Sequence, residues 1–233
     1  MDHPLLDNRL SAVVRWVLPG EIIADIGTDH AYLPSWLILN GCCPLAIAAD
    51  VAAGPYHRAA DTVAAYGLGD KISVRLGPGL SVLRPGEAAT VVLAGMGGQL
   101  ICRLLSERPD ILATVRRLVL QPQRNPELVR AWLAENGWRI IADDVARDGK
   151  MWYNIIAAEP GAMELDESAI LYGPMTPGVS PDLRRQWLEF RRDALLAIVR
   201  RLRDGSRRSL ARAAEAEREA GILDKLISEV SEC

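Results

Sequence analysis

Lysine is nearly missing from this chain of 233 residues: Lys71, Lys150 and Lys225 are the only lysines among 27 basic residues, so positive charge is almost all arginine. Phenylalanine occurs once, as Phe190, and aromatic residues reach only 5%. The cysteines, Cys42, Cys43, Cys102 and Cys233, form no C-x-x-C pair and no zinc-ligand spacing. A disulfide scaffold and a metal centre are therefore not expected, and reduced thiols in a cytosolic protein are. No apolar run approaches the ~18 residues of a membrane span. The segment MDHPLLDNRL lacks the basic start and apolar core of a signal peptide, so neither secretion nor membrane insertion is expected. A net charge of −3 argues against indiscriminate nucleic-acid binding but leaves room for a local basic patch. At 49% hydrophobic and 24% charged, the remainder is ordinary for a globular protein.

Within that composition, apolar runs alternate with helical patterns. Leu6, Leu10, Val13 and Val17 share one helix face, and Pro19-Gly20 ends that helix. Strands are expected at Glu21 to Ile26, Pro44 to Asp50, Lys71 to Leu76, Thr90 to Ala94 and Arg117 to Gln121, with helices between them. Runs as uniformly apolar as Thr90-Val91-Val92-Leu93-Ala94 suit parallel strands covered on both faces, hence a doubly wound α/β sheet. Trp138 to Ala146 and Lys150 to Ala158 flank Arg147-Asp148-Gly149, and the Asp-Gly turn implies a closing antiparallel hairpin. That hairpin fits a Rossmann-like class I methyltransferase sheet better than a nicotinamide dehydrogenase.

Glu159-Pro160-Gly161 suggests a boundary between a domain at 1–160 and a connector with helical hairpin at 161–233. Two helical stripes follow, Leu183, Trp187, Phe190, Ala194, Ala197 and Leu202, then Leu210, Ala213, Ala216, Ala220, Leu223, Ile227 and Val230. Asp204-Gly205-Ser206 separates them, as in an antiparallel coiled coil. Charge there is lopsided, with arginine concentrated from Arg184 to Arg212 and acids beyond. Solvated faces paired between the helices explain this; so does a phosphate-contacting arm with Arg203 and Arg207 near its tip.

Chemistry gathers where the strands end. After Asp25 and Gly27, the segment Ile26-Gly27-Thr28-Asp29-His30 carries none of the further glycines that bring backbone amides onto a pyrophosphate. A phosphate-free cofactor, the methylsulfonium S-adenosylmethionine, fits that omission. Asp50 closes the second strand, where an acid can accept from both ribose hydroxyls. Gly77-Pro78-Gly79 follows the third strand and Gly95-Met96-Gly97-Gly98 the fourth, either as tight turns or as close approaches to a ligand. Met96 suits core or pocket floor. Asp29 suits a helix N-cap or a substrate-facing carboxylate, and His30 a structural hydrogen bond. The Asn/Asp-Pro-Pro-aromatic motif of exocyclic-amine methyltransferases is missing, which favours a ring nitrogen as acceptor over adenine N6.

ADIGTDHAYLP at 24 to 34, AIAADVAAGP at 46 to 55, ISVRLGPGL at 72 to 80, VVLAGMGGQLI at 91 to 101 and LVLQPQRN at 118 to 125 closely resemble the bacterial TrmK family, the tRNA (adenine(22)-N1)-methyltransferases. The resemblance extends into the helical hairpin. It implies a cytoplasmic enzyme, monomeric and metal-free, that uses S-adenosylmethionine to methylate N1 of adenosine 22 in the D-arm of tRNA. Carried onto matching positions, the cofactor pocket includes Asp25, Gly27, His30, Asp50, Val51, Gly77, Gly95 and Met96. Arg9 faces the RNA, Gly97 and Gln121 border the adenine, and Asp29 is the candidate carboxylate near N6. Pro78 departs from the family's Asp or Asn and has no N–H to offer. Two rival readings keep the same core: a small-molecule methyltransferase, and a non-catalytic RNA-binding or assembly protein.

Overall fold

The computed structural model describes residues 4–202 and 206–231, which divide into a compact unit ending at Pro177 and another beginning at Gly178. In the first unit α1 (Asn8–Val14) precedes β1 (Ile23–Ile26), α2 (Tyr32–Leu39), β2 (Ala46–Asp50), α3 (Ala53–Ala65) and β3 (Ile72–Leu76). A 3-10 turn (Gly79–Val82) leads to β4 (Thr90–Gly97), α4 (Gly98–Ser106), α5 (Pro109–Leu112), β5 (Arg117–Arg124) and α6 (Pro126–Glu135). The hairpin β6 (Trp138–Asp148) and β7 (Met151–Pro160) and the short α7 (Glu167–Tyr172) complete it.

The described strands form one seven-stranded sheet in the order β3-β2-β1-β4-β5-β7-β6. β1 to β5 are mutually parallel, and the hairpin adds two antiparallel strands beside β5. Alternation along β4 divides the core: Val91 and Leu93 pack on one face of the sheet and Val92 on the other, since successive side chains of a strand point oppositely. Because β1, β4 and β5 lie at the centre, their carboxyl ends meet at the reversal of strand order where open α/β sheets bind ligands.

β4 and β5 run past their expected ends. Gly95, at φ +78°, opens a bulge that lets Met96 pair with Pro122 and Gly97 with Arg124. Gly95 to Gly97 are thus strand rather than loop. Gly98 starts α4, and a Cβ there would lie 2.2 Å from the backbone oxygen of Asn125, so packing alone requires that glycine. Both glycines of the third-strand loop have similar reasons: a Cβ on Gly77 would meet Val82 at 2.7 Å, and one on Gly79 would meet Leu104 at 2.6 Å.

The first unit continues past residue 160 because the connector is anchored. Arg130 of α6 and Asp143 of β6 form a fully buried pair, Nε to Oδ2 at 2.6 Å and Nη2 to Oδ1 at 3.0 Å. Arg130 Nη1 also donates to the carbonyls of Ile170 and Leu171, at 3.1 and 3.0 Å. The Asp143 N–H donates to Thr176 Oγ1 at 3.0 Å. Gly173, φ +83°, passes so close that a Cβ would fall 2.4 Å from the Asp143 carboxyl.

In the second unit α8 (Pro181–Leu202) and α9 (Arg207–Ser231) pack as a hairpin. The expected stripe on α9 holds for Ala213, Ala216, Ala220, Leu223 and Val230, all buried, but Leu210 is exposed. On α8 the face is rotated: Arg184, Trp187, Leu188 and Val199 are buried while Phe190 is half exposed. The Arg184 guanidinium lies 4.9 Å from the Trp187 ring centroid, so its long stem and flat head pack as core. Arg192 bridges to Asp224 across the hairpin at 3.3 Å. Arg203, Asp204 and Gly205 lie outside the described residues, and of Arg207 only the backbone is described.

Candidate active site

A cavity of about 510 Å³ opens at the carboxyl ends of β1 and β4. Its polar lining comes from α1, the loop after β1, and the ends of β4 and β5: Arg9, Asp25, Thr28, Asp29, Gly95 and Gln123. Asp25 sits at the end of β1, buried, with its carboxylate accepting from Thr28 Oγ1 at 2.6 Å. Burial pushes its pKa from 3.8 up to about 6, with the Thr28 bond and Arg9 opposing and Asp50 reinforcing the rise. Gly27, at φ +80°, turns the chain, and its N–H and that of Thr28 both donate to Ala49 O, at 2.7 and 3.0 Å. A Cβ on Gly27 would lie 2.2 Å from Met96 Cε. Met96 therefore fills the space beside the turn.

Gln121 and Arg9 brace the opposite wall. Gln121 is completely buried, and its Oε1 accepts from Gly95 N and Arg9 Nη1, each at 3.1 Å. Two donors on one atom settle which end of the carboxamide is oxygen. Arg9 also approaches Asp7, at 3.5 Å, and the Tyr153 ring, 6.0 Å from its centroid. α1 is held over the sheet by Asn8 to Arg147 O, 3.0 Å, and by Arg15 and Trp16 to Asp144, 2.5 and 2.9 Å.

The loop after Gly27 is unusual backbone. Asp29 (φ 51°) and Ala31 (φ 54°) are both left-handed, a conformation uncommon outside glycine, which aspartate enters more readily than alanine and which surrounding contacts help to hold. Arg58 of α3 does part of that holding: its Nε donates to Asp29 Oδ1 at 3.2 Å and its Nη2 bonds the same oxygen. Asp29 Oδ2 lies 3.7 Å from His30 Nε2, and His30 stacks on Tyr32 with ring centroids 5.0 Å apart. On the β2 side, Asp50 Oδ1 accepts from Ala52 N at 2.9 Å, while its second carboxylate oxygen makes no hydrogen bond among the described residues.

A sequence profile described as "Methyltransferase domain" matches residues 6–156. A crystal structure of the Bacillus subtilis M1A22 tRNA methyltransferase TrmK aligns with a TM-score of 0.82 at 28% identity, covering 96% of this chain and 99% of that one. The curated tRNA (adenine(22)-N(1))-methyltransferase of B. subtilis strain 168 is 38% identical over 161 residues, 69% of this chain and 68% of the relative. The chain belongs to the TrmK family. A Streptococcus pneumoniae protein described as a candidate tRNA (m1A22) methyltransferase, crystallised with S-adenosyl-L-methionine, aligns at 34% identity and TM-score 0.80 over 93% of this chain and 99% of its own.

Set in this TrmK frame, the expected site residues fall into three groups. Asp25, Gly27, Asp29, His30, Gly95 and Arg9 line one cavity. Asp50, Val51 and Gly77 stand outside it, at the ends of β2 and β3, with Val51 exposed and Gly77 N donating to Asp50 O at 3.0 Å. Met96 and Gly97 pair with β5. Some roles change. Gln121 is sealed behind the wall, so it positions Gly95 and Arg9 and does not itself face a base. Arg9 donates to Gln121 while lining the cavity. Asp29 does not cap α2, whose N-cap position is Ala31 without a side-chain bond. His30 stacks where a hydrogen bond was expected.

The sequence reading missed Arg58, Thr28 and Gln123. Thr28 was visible three residues after Asp25; Arg58, 29 residues from Asp29, carried no local signal. Among the described residues no cluster of His, Cys, Asp and Glu is arranged to hold a metal ion, and no helix is long and apolar enough to cross a membrane. Cys43 is buried, its thiol pushed up to about 11 by that burial.

Proposed function

We propose that this chain transfers a methyl group from S-adenosylmethionine to N1 of adenosine 22 in tRNA. The observation that carries the reading is the acid-lined cavity at the switch point of a TrmK-family sheet. S-adenosylmethionine, when bound, supplies a methyl group already activated by its sulfonium charge. A cationic ligand fits the residues present: Asp25 offers a buried carboxylate to an ammonium, Gly27 keeps the turn beside it narrow, and Asp50 keeps one oxygen for ribose hydroxyls. Pro78 leaves the cofactor's adenine to backbone groups and packing around Gly77, with Val51 beside Asp50.

Adenine N1 needs no base to remove a proton, since its lone pair lies in the ring plane. Alignment then supplies most of the catalysis. The methylated ring is cationic, and Asp29 Oδ2, not engaged by Arg58, accepts from N6 and stabilises that charge. A stem-paired base must leave its stack first, costing a few kcal/mol that contacts to the RNA offset; arginines of the helical hairpin, Arg203 and Arg207 among them, are proposed for those contacts. The reading places the protein in the cytoplasm with its tRNA, acting as a monomer.

Incubation with unmodified tRNA and labelled cofactor, followed by mapping of the modified nucleoside, tests the proposal; label anywhere but N1 of adenosine 22 rejects it. Asp50→Ala should weaken cofactor binding in calorimetry by roughly 10-fold or more, and an unchanged affinity removes Asp50 from the ribose role. Asp29→Ala should slow single-turnover methylation by roughly 10- to 100-fold with cofactor affinity retained. A full-rate variant excludes the N6 role.

A further inference from the structure

Gln123 is a polar side chain of the cavity wall to which the proposed reaction gives no task. It makes no hydrogen bond among the described residues, although it lines the same cavity as Arg9, Asp25, Asp29 and Gly95. Its placement is built. Gln121 and Gln123 are two apart in β5, the first buried and bonded to Gly95 N and Arg9, the second at the exposed end, where the pairing shifts from Met96–Pro122 to Gly97–Arg124 and passes it over. Gly95 lies between the groups: a Cβ there would stand 3.8 Å from Gln123 Nε2 and 3.9 Å from Arg9 Nη1. The bulge thus sets a free carboxamide, with one acceptor and two donors, beside bare backbone.

The chemistry of the target then selects its use. N1 must stay unbonded to act as nucleophile, so a donor on that edge would block the reaction. Adenine's other edge presents the N6 amino donor and the N7 acceptor, and a glutamine carboxamide is their complementary bidentate partner. N6 carries two hydrogens, one beside N7 and one beside N1, so Gln123 and Asp29 can each accept one. Guanine places an acceptor, O6, where adenine has its donor, and it would face the Gln123 oxygen. We propose that Gln123 reads the N6/N7 edge of the target adenine, holding N1 free and selecting adenine over guanine. This rests on the tRNA reading above.

The test uses the full-length protein in single turnover on two tRNA transcripts, one with adenosine at position 22 and one with 7-deazaadenosine, which replaces N7 by C–H. The wild type should lose rate on the second, and Gln123→Ala should be slower on adenosine by roughly 5- to 150-fold yet nearly indifferent to the substitution. Gln123→Glu should invert the preference, because its carboxylate repels the N7 lone pair and tolerates C–H. Equal fold losses for each variant on both substrates, or full rates, overturn the assignment. Calorimetric cofactor affinity should be the same in all three proteins. Failure of the wild type to modify adenosine 22 at all would instead remove the tRNA reading, a distinguishable result.

Discussion

Replacing Asp25 by Asn should give a protein that is more stable at pH 8 and yet binds S-adenosylmethionine roughly 100-fold more weakly. The two effects have one origin. With its carboxyl raised from 3.8 to about 6, the folded chain holds that proton more tightly than the unfolded chain does. The stabilisation is fully present below pH 3.8 and is lost as the pH climbs through about 6. At pH 8 the buried ionised carboxylate therefore costs up to roughly 3 kcal/mol, which asparagine avoids while keeping an acceptor for Thr28. In the role proposed for Asp25 the same charge holds the ligand's ammonium, so wild-type affinity should fall as the pH drops below about 6. Thermal melts at pH 5 and pH 8, with calorimetric titrations, check both. An Asn variant less stable than wild type at pH 8 would contradict the desolvation account.

Arg130→Met should destabilise the first unit by about 3–5 kcal/mol, because it leaves the Asp143 carboxylate buried without its cation. For a chain of this size that lowers the melting temperature by roughly 10 °C. It also frees the carbonyls of Ile170 and Leu171, so amide exchange should rise through the connector before it rises in β4 or β5. Arg130→Met combined with Asp143→Leu should recover much of the loss, since well-packed apolar residues often replace a buried pair without penalty. A single variant that melts within about 1–2 °C of wild type would show the pair to be dispensable.

Legibility in the sequence followed the range of each interaction. β1, β2, β4 and β5 were readable because their buried central runs, such as Val91 to Leu93 and Leu118 to Leu120, are apolar at successive positions, and the Asp-Gly turn gave the β6-β7 hairpin. The end of β4 was not, because Gly95 to Gly97 remain strand only through pairing with Pro122 and Arg124. That pairing also explains why Gln123 escaped notice: β5 extends past Pro122, so Gln121 lies buried within the strand while Gln123 reaches its exposed end. Asp29 read as either a cap or a substrate-facing carboxylate, because nothing nearby reveals Arg58. On α8 hydrophobicity pointed to Phe190, whereas Arg184 packs on Trp187, a use of arginine that apolar periodicity does not register.

One wall of the cavity is also a matter of timing. α1 is synthesised before the sheet it packs on, but the partners of Arg9, Asn8 and Arg15 are Gln121, Arg147 and Asp144, the most distant separated by 139 residues. During translation α1 must wait, undocked, until the hairpin that completes the sheet has left the ribosome. The pocket closes late, and a nascent chain has no assembled methyl-transfer site to offer before its whole sheet exists.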